Sequence, residues 1–180
     1  KDPKYSQLPA AYGEYVFDKG DYNKAIKYLD ISKLTTYDIL YKIGFSYYKI
    51  ENYINAENYL KKIRLSDYKD DASYYLGIIE IKKKNYKAAI NYLKSISKFI
   101  YQDAIKYYLI FTNYNIENYN EVIKLSEEID ENTLNLNHIN YILGSTYFVI
   151  NEYENSLNFY SKYNNKGEVD NKLNFEIGYS

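Results

Sequence analysis

GFSYYKIENYINAENYL, residues 44–60, carries the pattern that decides the fold. The phrase Ile50-Glu51-Asn52 sits between two apolar stripes, as the turn of a helical hairpin should. After that break Tyr53, Ala56 and Leu60 return at the spacing of one face of an amphipathic helix. The same phrase recurs without gaps as GEYVFDKGDYNKAIKYL (13–29), GIIEIKKKNYKAAINYL (77–93) and GSTYFVINEYENSLNFY (144–160). A weaker copy, IFTNYNIENYNEVIKLS, occupies 110–126. The leading residues are Gly13, Gly44, Gly77, Ile110 and Gly144, followed by Gly178, so successive spacings are 31, 33, 33, 34 and 34 residues.

A second set of anchors keeps the same register. Tyr22, Tyr53, Tyr86, Tyr119 and Tyr153 each fall nine residues after the glycine place, and Ala25, Ala56, Ala89, Val122 and Ser156 fall three residues later. Independent anchors with one period mean tandem repeats of one supersecondary unit. A small residue at the glycine place lets the second helix approach closely, and the alanines do the same from the other side. The two prolines, Pro3 and Pro9, lie at the start, so nothing after them interrupts a helix. Seven glycines are few for the turns of an all-β chain. The fold class is therefore all-α.

The spacing and the residues resemble the tetratricopeptide repeat family, whose 34-residue pattern is W-x2-L-G-x2-Y, then A-x3-F, then A and P. Leu40, Ile43, Gly44, Tyr47, Tyr53, Ala56 and Leu60 follow it, as do Leu143, Gly144, Tyr147, Ser156 and Tyr160. The family tryptophan place holds Leu40, Ser73, Lys106 and Asn140, the closing proline is missing, and the fourth copy has Ile110 and Asn113 where Gly and Tyr are expected. The resemblance covers about residues 6–180. It implies a right-handed α-solenoid of five hairpins (about 6–34, 37–67, 70–100, 103–131 and 137–165) plus a partial sixth at 171–180, in one domain belonging to a longer protein. Gly178 at the glycine place is what suggests continuation. Pentatricopeptide repeats would want constant 35-residue spacing and a basic groove, and Sel1-type repeats are longer and richer in Gly and Ala. Both fit less well.

In the tetratricopeptide family the first helix of each hairpin lines the concave groove. Carried over by register, the fifth place of the copies gives Tyr41, Tyr74, Tyr107 and Tyr141, with Phe175 in the partial sixth. The ninth place gives Phe45, Ile78 and Phe111; the twelfth gives Phe17, Tyr48, Ile81, Tyr114 and Phe148. The resemblance thus implies a tyrosine-rich groove that holds an extended or helical segment of a protein partner, since Tyr combines apolar area with a hydrogen-bonding tip. The other reading is that these rings pack on one another and close the superhelix. With 27 Tyr and 22 Lys to one Arg, part of the tyrosine content reflects AT-rich codons. Chaperone-adaptor members clamp a terminal carboxylate with Lys and Asn at groove places, whereas here the fifth place is Tyr or Phe in most copies and the ninth is mostly apolar.

Nothing catalytic stands out. His138 is the sole histidine and reads as a packing or groove-edge residue, since a lone His without supporting signature makes no triad. No phosphate-cradling glycine motif or EF-hand loop occurs. Asp70-Asp71, Glu127-Glu128 and Asp130-Glu131 fall at helix ends and loops, where carboxylates serve solubility and the helix dipole. Lys82-Lys83-Lys84 closes a first helix as a solvated end or a basic docking point. The reading is a non-enzymatic scaffold or adaptor with no cofactor, no metal and no nucleic acid.

Cysteine is absent, which excludes disulfides and thiolate sites and fits cytoplasm or periplasm alike, with a lean to the periplasm. No run reaches the roughly 18 apolar residues of a membrane span, so any membrane role would be peripheral. Lys1 reads as the start of a trimmed or mature chain. Residues 1–100 hold 18 Lys/Arg against 12 Asp/Glu, +6, and residues 101–180 hold 5 against 12, −7. That polarity supports an alternative function: self-association, the chain stacking end to end as a structural subunit of a bacterial envelope, secretion or flagellar/motility assembly.

Overall fold

The computed structural model describes residues 4–63, 66–130, 133 and 135–163. Among them every regular element is helical: α1 Lys4–Asp18, α2 Tyr22–Ser32, α3 Tyr37–Lys49, α4 Tyr53–Leu60, α5 Lys69–Lys82, α6 Tyr86–Lys94, α7 Gln102–Asn115, α8 Tyr119–Ser126, α9 Leu136–Val149 and α10 Tyr153–Lys162, with a 3₁₀ turn at Phe99–Tyr101 before α7. The architecture is all-α, a tandem of tetratricopeptide-like hairpins. The expected sixth first-helix at 171–180 lies outside the described residues.

One turn design joins the two helices of each copy. Seven residues after the glycine place the backbone takes the left-handed conformation, at Gly20 (φ 78°), Glu51 (61°), Lys84 (60°), Glu117 (60°) and Asn151 (64°). Each turn closes the preceding helix with the paired bonds of a Schellman motif. The N–H of Asp21, Asn52, Asn85, Asn118 and Glu152 donates to the carbonyls of Val16, Tyr47, Glu80, Asn113 and Tyr147 at 2.8–2.9 Å. The same residues are the N-caps of the second helices; Asp21 and Asn52 accept from the Lys24 and Asn55 amides at 3.2 Å. A single residue therefore ends one helix and starts the next, which fixes the hairpin geometry. Only the first copy uses glycine at the left-handed place, so the other four hold a conformation that costs an L-residue roughly 1 kcal/mol or more.

The chain divides into two compact units, Lys1–Ile79 and Glu80–Ser180, and each is described by itself. In the first, Val16, Ala25, Leu29, Ile39 and Ile43 form a core to which Phe17, Leu34, Tyr47 and Tyr59 add partly buried rings and side chains. The glycine logic is visible in atoms. A Cβ on Gly13 would sit 2.7 Å from Leu29 Cδ2, and one on Gly44 would sit 2.8 Å from Leu60 Cγ. In the second unit a Cβ on Gly144 would meet the Tyr160 ring at 2.7 Å. Ala25, Ala56, Ala89, Val122 and Ser156 are all buried, and Ser156 Oγ donates to the buried carbonyl of Gly144 at 2.8 Å.

The fourth copy departs from the pattern in a compensated way. Ile110 replaces glycine and is fully buried, while the register place of Leu29, Leu60, Leu93 and Tyr160 carries the small Ser126. Bulk has moved from the second helix to the first. Asn113, where a tyrosine was expected, is also buried: its Nδ2 donates to the Leu109 carbonyl (2.8 Å), and its Oδ1 accepts from Asn118 Nδ2 in the turn (3.0 Å). The third turn is built alike, Asn85 Nδ2 donating to the buried carboxylate of Glu80 (2.7 Å), which Lys83 also contacts at 2.8 Å. Among the described residues no helix is long and apolar enough to cross a membrane.

Candidate partner-binding faces

In the first unit the register-selected rings gather into one aromatic cluster. Phe45, at the ninth place, meets Phe17 (5.6 Å between centroids), Tyr22 (5.8 Å), Tyr41 (5.9 Å) and Tyr48 (6.4 Å). Tyr75 joins it from α5, 5.0 Å from Phe45 and 4.9 Å from Tyr48, and Tyr74 packs edge-on against Tyr75 at 5.3 Å. Tyr41 stacks on Tyr68 at 5.1 Å. Tyr48 is buried, whereas Phe17, Tyr41, Phe45 and Tyr74 each keep part of their surface open. The rings thus hold one another in place and still present edges to solvent.

A charged network lies beside them. Lys42 Nζ donates to Glu14 and to Asp38, both at 2.8 Å, and Tyr68 Oη donates to the other Asp38 oxygen at 2.7 Å. Burial works to raise the Asp38 carboxyl, but the bonds from Lys42 and Tyr68 outweigh it and hold its pKa below the ordinary carboxylate value. Burial likewise pulls Lys42 down, and its two carboxylates outweigh that and raise it. Three successive repeats are tied by this chain of bonds from α1 through α3 to the residue before α5.

The second unit uses the same register places differently. Tyr107 is 1% exposed and Phe111 is buried. Tyr107 Oη shares a 2.8 Å hydrogen bond with His138 Nδ1. The His138 ring lies 5.8 Å from Tyr107, 6.2 Å from Phe111 and 6.3 Å from Tyr141, nearly parallel to the last. Burial lowers the His138 pKa, so the neutral imidazole is the form that fits. Tyr141, at the same place as Tyr107, is 40% exposed and packs on Tyr163 at 5.3 Å. Tyr114 is half-buried against Tyr119 (6.3 Å), and Phe148 is 58% exposed, beside Tyr153 at 5.8 Å. Ile81 is buried, as is Ile78 in the first unit.

The register-selected residues therefore fall into three groups. Tyr48, Ile78, Ile81, Tyr107 and Phe111 are buried, Phe17, Tyr41, Phe45, Tyr74 and Tyr114 are partly open, and Tyr141 and Phe148 are exposed, while Phe175 lies outside the described residues. Sequence reading missed Tyr68, Tyr75, Asp38 and the bonding role of His138. The signal for the last two was present, since both occupy the second place of their copies, which the resemblance also turns toward the groove. Tyr75 lies one residue beyond the fifth place and had no signal of its own. A small cavity of about 150 Å³ in the first unit, lined by Leu29, Leu34, Leu40, Ile43, Asp30 and Lys62 among others, falls below the roughly 300 Å³ at which ligand pockets begin.

These features define an array of tetratricopeptide-like hairpins with aromatic residues on the first helices. No protein-family model matches the chain, and no curated protein matches it in sequence. Solved structures share its fold. MamA AMB-1 in a P212121 crystal has a TM-score of 0.78 at 16% identity, covering 96% of this chain and 98% of that one. A structure titled as the crystal structure of MamA protein gives 0.74 at 20% identity, over 88% and 90%. MamA MSR-1 gives 0.72 at 16% identity, over 93% and 98%. The likeness is one of fold.

Proposed function

We propose that the protein is a non-catalytic interaction scaffold and that the aromatic face of its first unit holds a segment of a protein partner. The observation that carries this reading is the partly open cluster of Phe17, Tyr41, Phe45 and Tyr74, preorganised around Tyr75. Rings already locked by their neighbours lose little freedom on binding, and half-exposed tyrosines supply both apolar area and hydroxyl groups. The neighbouring Asp38, Glu14 and Lys42 give the face a charged rim, suited to orienting an extended or helical peptide. The fold shared with MamA structures supports the scaffold class.

The test is a partner captured on the 180-residue chain and then titrated by calorimetry against Tyr41→Ala/Tyr74→Ala. A loss of tenfold or more, about 1.4 kcal/mol, supports the face; unchanged affinity with the fold retained places the partner elsewhere.

A further inference from the structure

The link between the first two hairpins lacks a side chain that the later links supply. Three residues after the register place of Leu29, Leu60, Leu93 and Ser126 stand Ser32, Ile63, Ile96 and Ile129. The N–H of each isoleucine donates to the carbonyl of that place, at 3.0, 3.3 and 3.2 Å. Ile63 and Ile96 are buried and Ile129 is half-buried, so each of these links tucks an aliphatic side chain away from water. Ser32 instead ends α2, its hydroxyl donating to the Leu29 carbonyl (2.6 Å) and accepting from the Leu34 N–H (3.2 Å). The link is also shorter, with 31 residues from Gly13 to Gly44 against 33 or 34 in later copies. Aliphatic bulk is therefore missing here, and here lies the cavity of about 150 Å³, walled by Leu29, Leu34, Leu40 and Ile43. None of its lining residues belongs to the aromatic cluster. Its rim is charged: Asp30 is engaged by Lys33 Nζ at 3.7 Å and by Tyr59 Oη at 3.5 Å. Lys62 Nζ lies 4.5 Å from the Tyr59 ring centroid and has no carboxylate within ion-pair distance among the described residues. Two ammonium groups against one carboxylate leave the rim cationic.

We propose that this cavity is an anchor site for a partner protein, taking one leucine-type side chain flanked by acidic residues. Volume and wall select the anchor. An apolar cavity of about 150 Å³ holds a benzene-sized group, which a branched aliphatic side chain matches and a nucleotide or sugar exceeds. The isoleucines of the later links show the same chemistry at the same register place. The rim selects the flanks: carboxylates beside the anchor meet Lys33 and Lys62, whereas lysines would meet like charge. One apolar anchor in a water-excluding pocket, ringed by complementary charge, is the arrangement on which interface hot spots are built. The scaffold thereby has a second contact surface, apart from its aromatic face.

The test titrates the 180-residue chain with the peptide Ac-Glu-Asp-Leu-Asp-Glu-NH2 and follows the methyl signals of Leu29, Leu34, Leu40 and Ile43 by NMR. Saturable shifts are expected, and none when the leucine of the peptide is replaced by alanine. Binding about tenfold weaker or more is expected when the peptide's acids are replaced by lysines, and likewise for Lys33→Glu/Lys62→Glu with the original peptide. Both lysines are exposed, so that variant keeps its fold, which circular dichroism checks. Tyr41→Ala/Tyr74→Ala is expected to bind the peptide as wild type does. Absence of shifts up to the solubility limit of the peptide, equal binding of the lysine peptide, or binding indifferent to the charge reversal overturns the proposal. Binding lost in Tyr41→Ala/Tyr74→Ala moves the site to the aromatic face, and free isocaproate binding as tightly as the peptide assigns the cavity to small carboxylates; either result overturns it equally.

Discussion

Tyr41 and Tyr107 occupy the same place in their repeats and do opposite things. In the first unit Tyr41 stacks on Tyr68 and keeps part of its surface in water, next to an Asp38 that is held ionised by Lys42 and Tyr68. In the second unit Tyr107 is sealed, its hydroxyl bonded to His138. The residues that meet each ring make the difference: Asp38 stands at the second place of Tyr41's own repeat, whereas His138 stands at the second place of the repeat after Tyr107's. A carboxylate with a lysine partner stays near solvent, because removing the pair from water costs several kcal/mol per ion. A neutral imidazole can be drawn in among rings. Equivalent tyrosines thus yield an accessible ring beside an ion pair and a core ring beside a histidine.

The strongest way to break this contrast is to remove the rings. Tyr107→Ala takes away a fully buried aromatic side chain and leaves His138 without that bond, for an expected loss of about 3–5 kcal/mol. Tyr41→Ala should cost roughly half as much or less, its ring being partly in water already. Urea unfolding followed by circular dichroism compares them; equal losses would erase the distinction between the units.

Next in size come the close approaches that both units share. Gly44→Ala gains helix propensity but drives a methyl to 2.8 Å from Leu60 Cγ and 3.3 Å from the Leu60 backbone nitrogen. Overpacking of this kind costs about 1–3 kcal/mol, so a net loss of stability is expected, relieved by adding Leu60→Ser in imitation of the Ile110/Ser126 arrangement. If the second substitution only adds to the damage, the exchange of bulk inferred for the fourth copy is wrong.

The fold was largely legible because its determinants are local and repeated. The glycine place, the small residue twelve positions later and the polar turn each recur with the period, and each has a short-range cause. The left-handed place was not legible, since Glu51, Lys84 and Glu117 are not residues that advertise a positive φ. Nor was the division among the aromatic residues. Register says which ring faces the first-helix side, but whether Tyr41 or Tyr107 ends up covered depends on Asp38, Tyr68 and His138, which lie elsewhere in the chain. In the fourth copy, Asn113 and Ile110 weakened the sequence pattern and turned out to be a matched substitution of one packing solution for another.

Smaller effects sharpen the same picture. Glu51→Gly and Glu117→Gly relieve a left-handed L-residue in the first and second unit, and each should stabilise by about 0.5–1 kcal/mol. Gly20→Ala should lose a similar amount. Thermal melts resolve both, and a loss at Glu51→Gly would mean that the side chain matters more than the backbone there.

The two second-place residues also predict separate pH windows. His138 has a folded pKa below its unfolded value of about 6.5. Its contribution is therefore intact above that pH and is lost as pH falls through the folded value. Asp38 is likewise depressed, so its contribution persists until pH drops below about 4. His138→Phe should abolish the stability change between pH 8 and 5.5 and leave the one below pH 4. If wild type and variant lose stability in parallel between pH 8 and 5.5, His138 is not the group responsible.

The central claim is that equal register places carry unequal exposure. Acylation of tyrosine hydroxyls by N-acetylimidazole, mapped by mass spectrometry on the folded 180-residue chain, tests it most directly. The account predicts that Tyr41, Tyr74 and Tyr141 are modified while Tyr107 stays protected until the protein unfolds. Modification of Tyr107 at the rate of Tyr141 in the folded chain would contradict it.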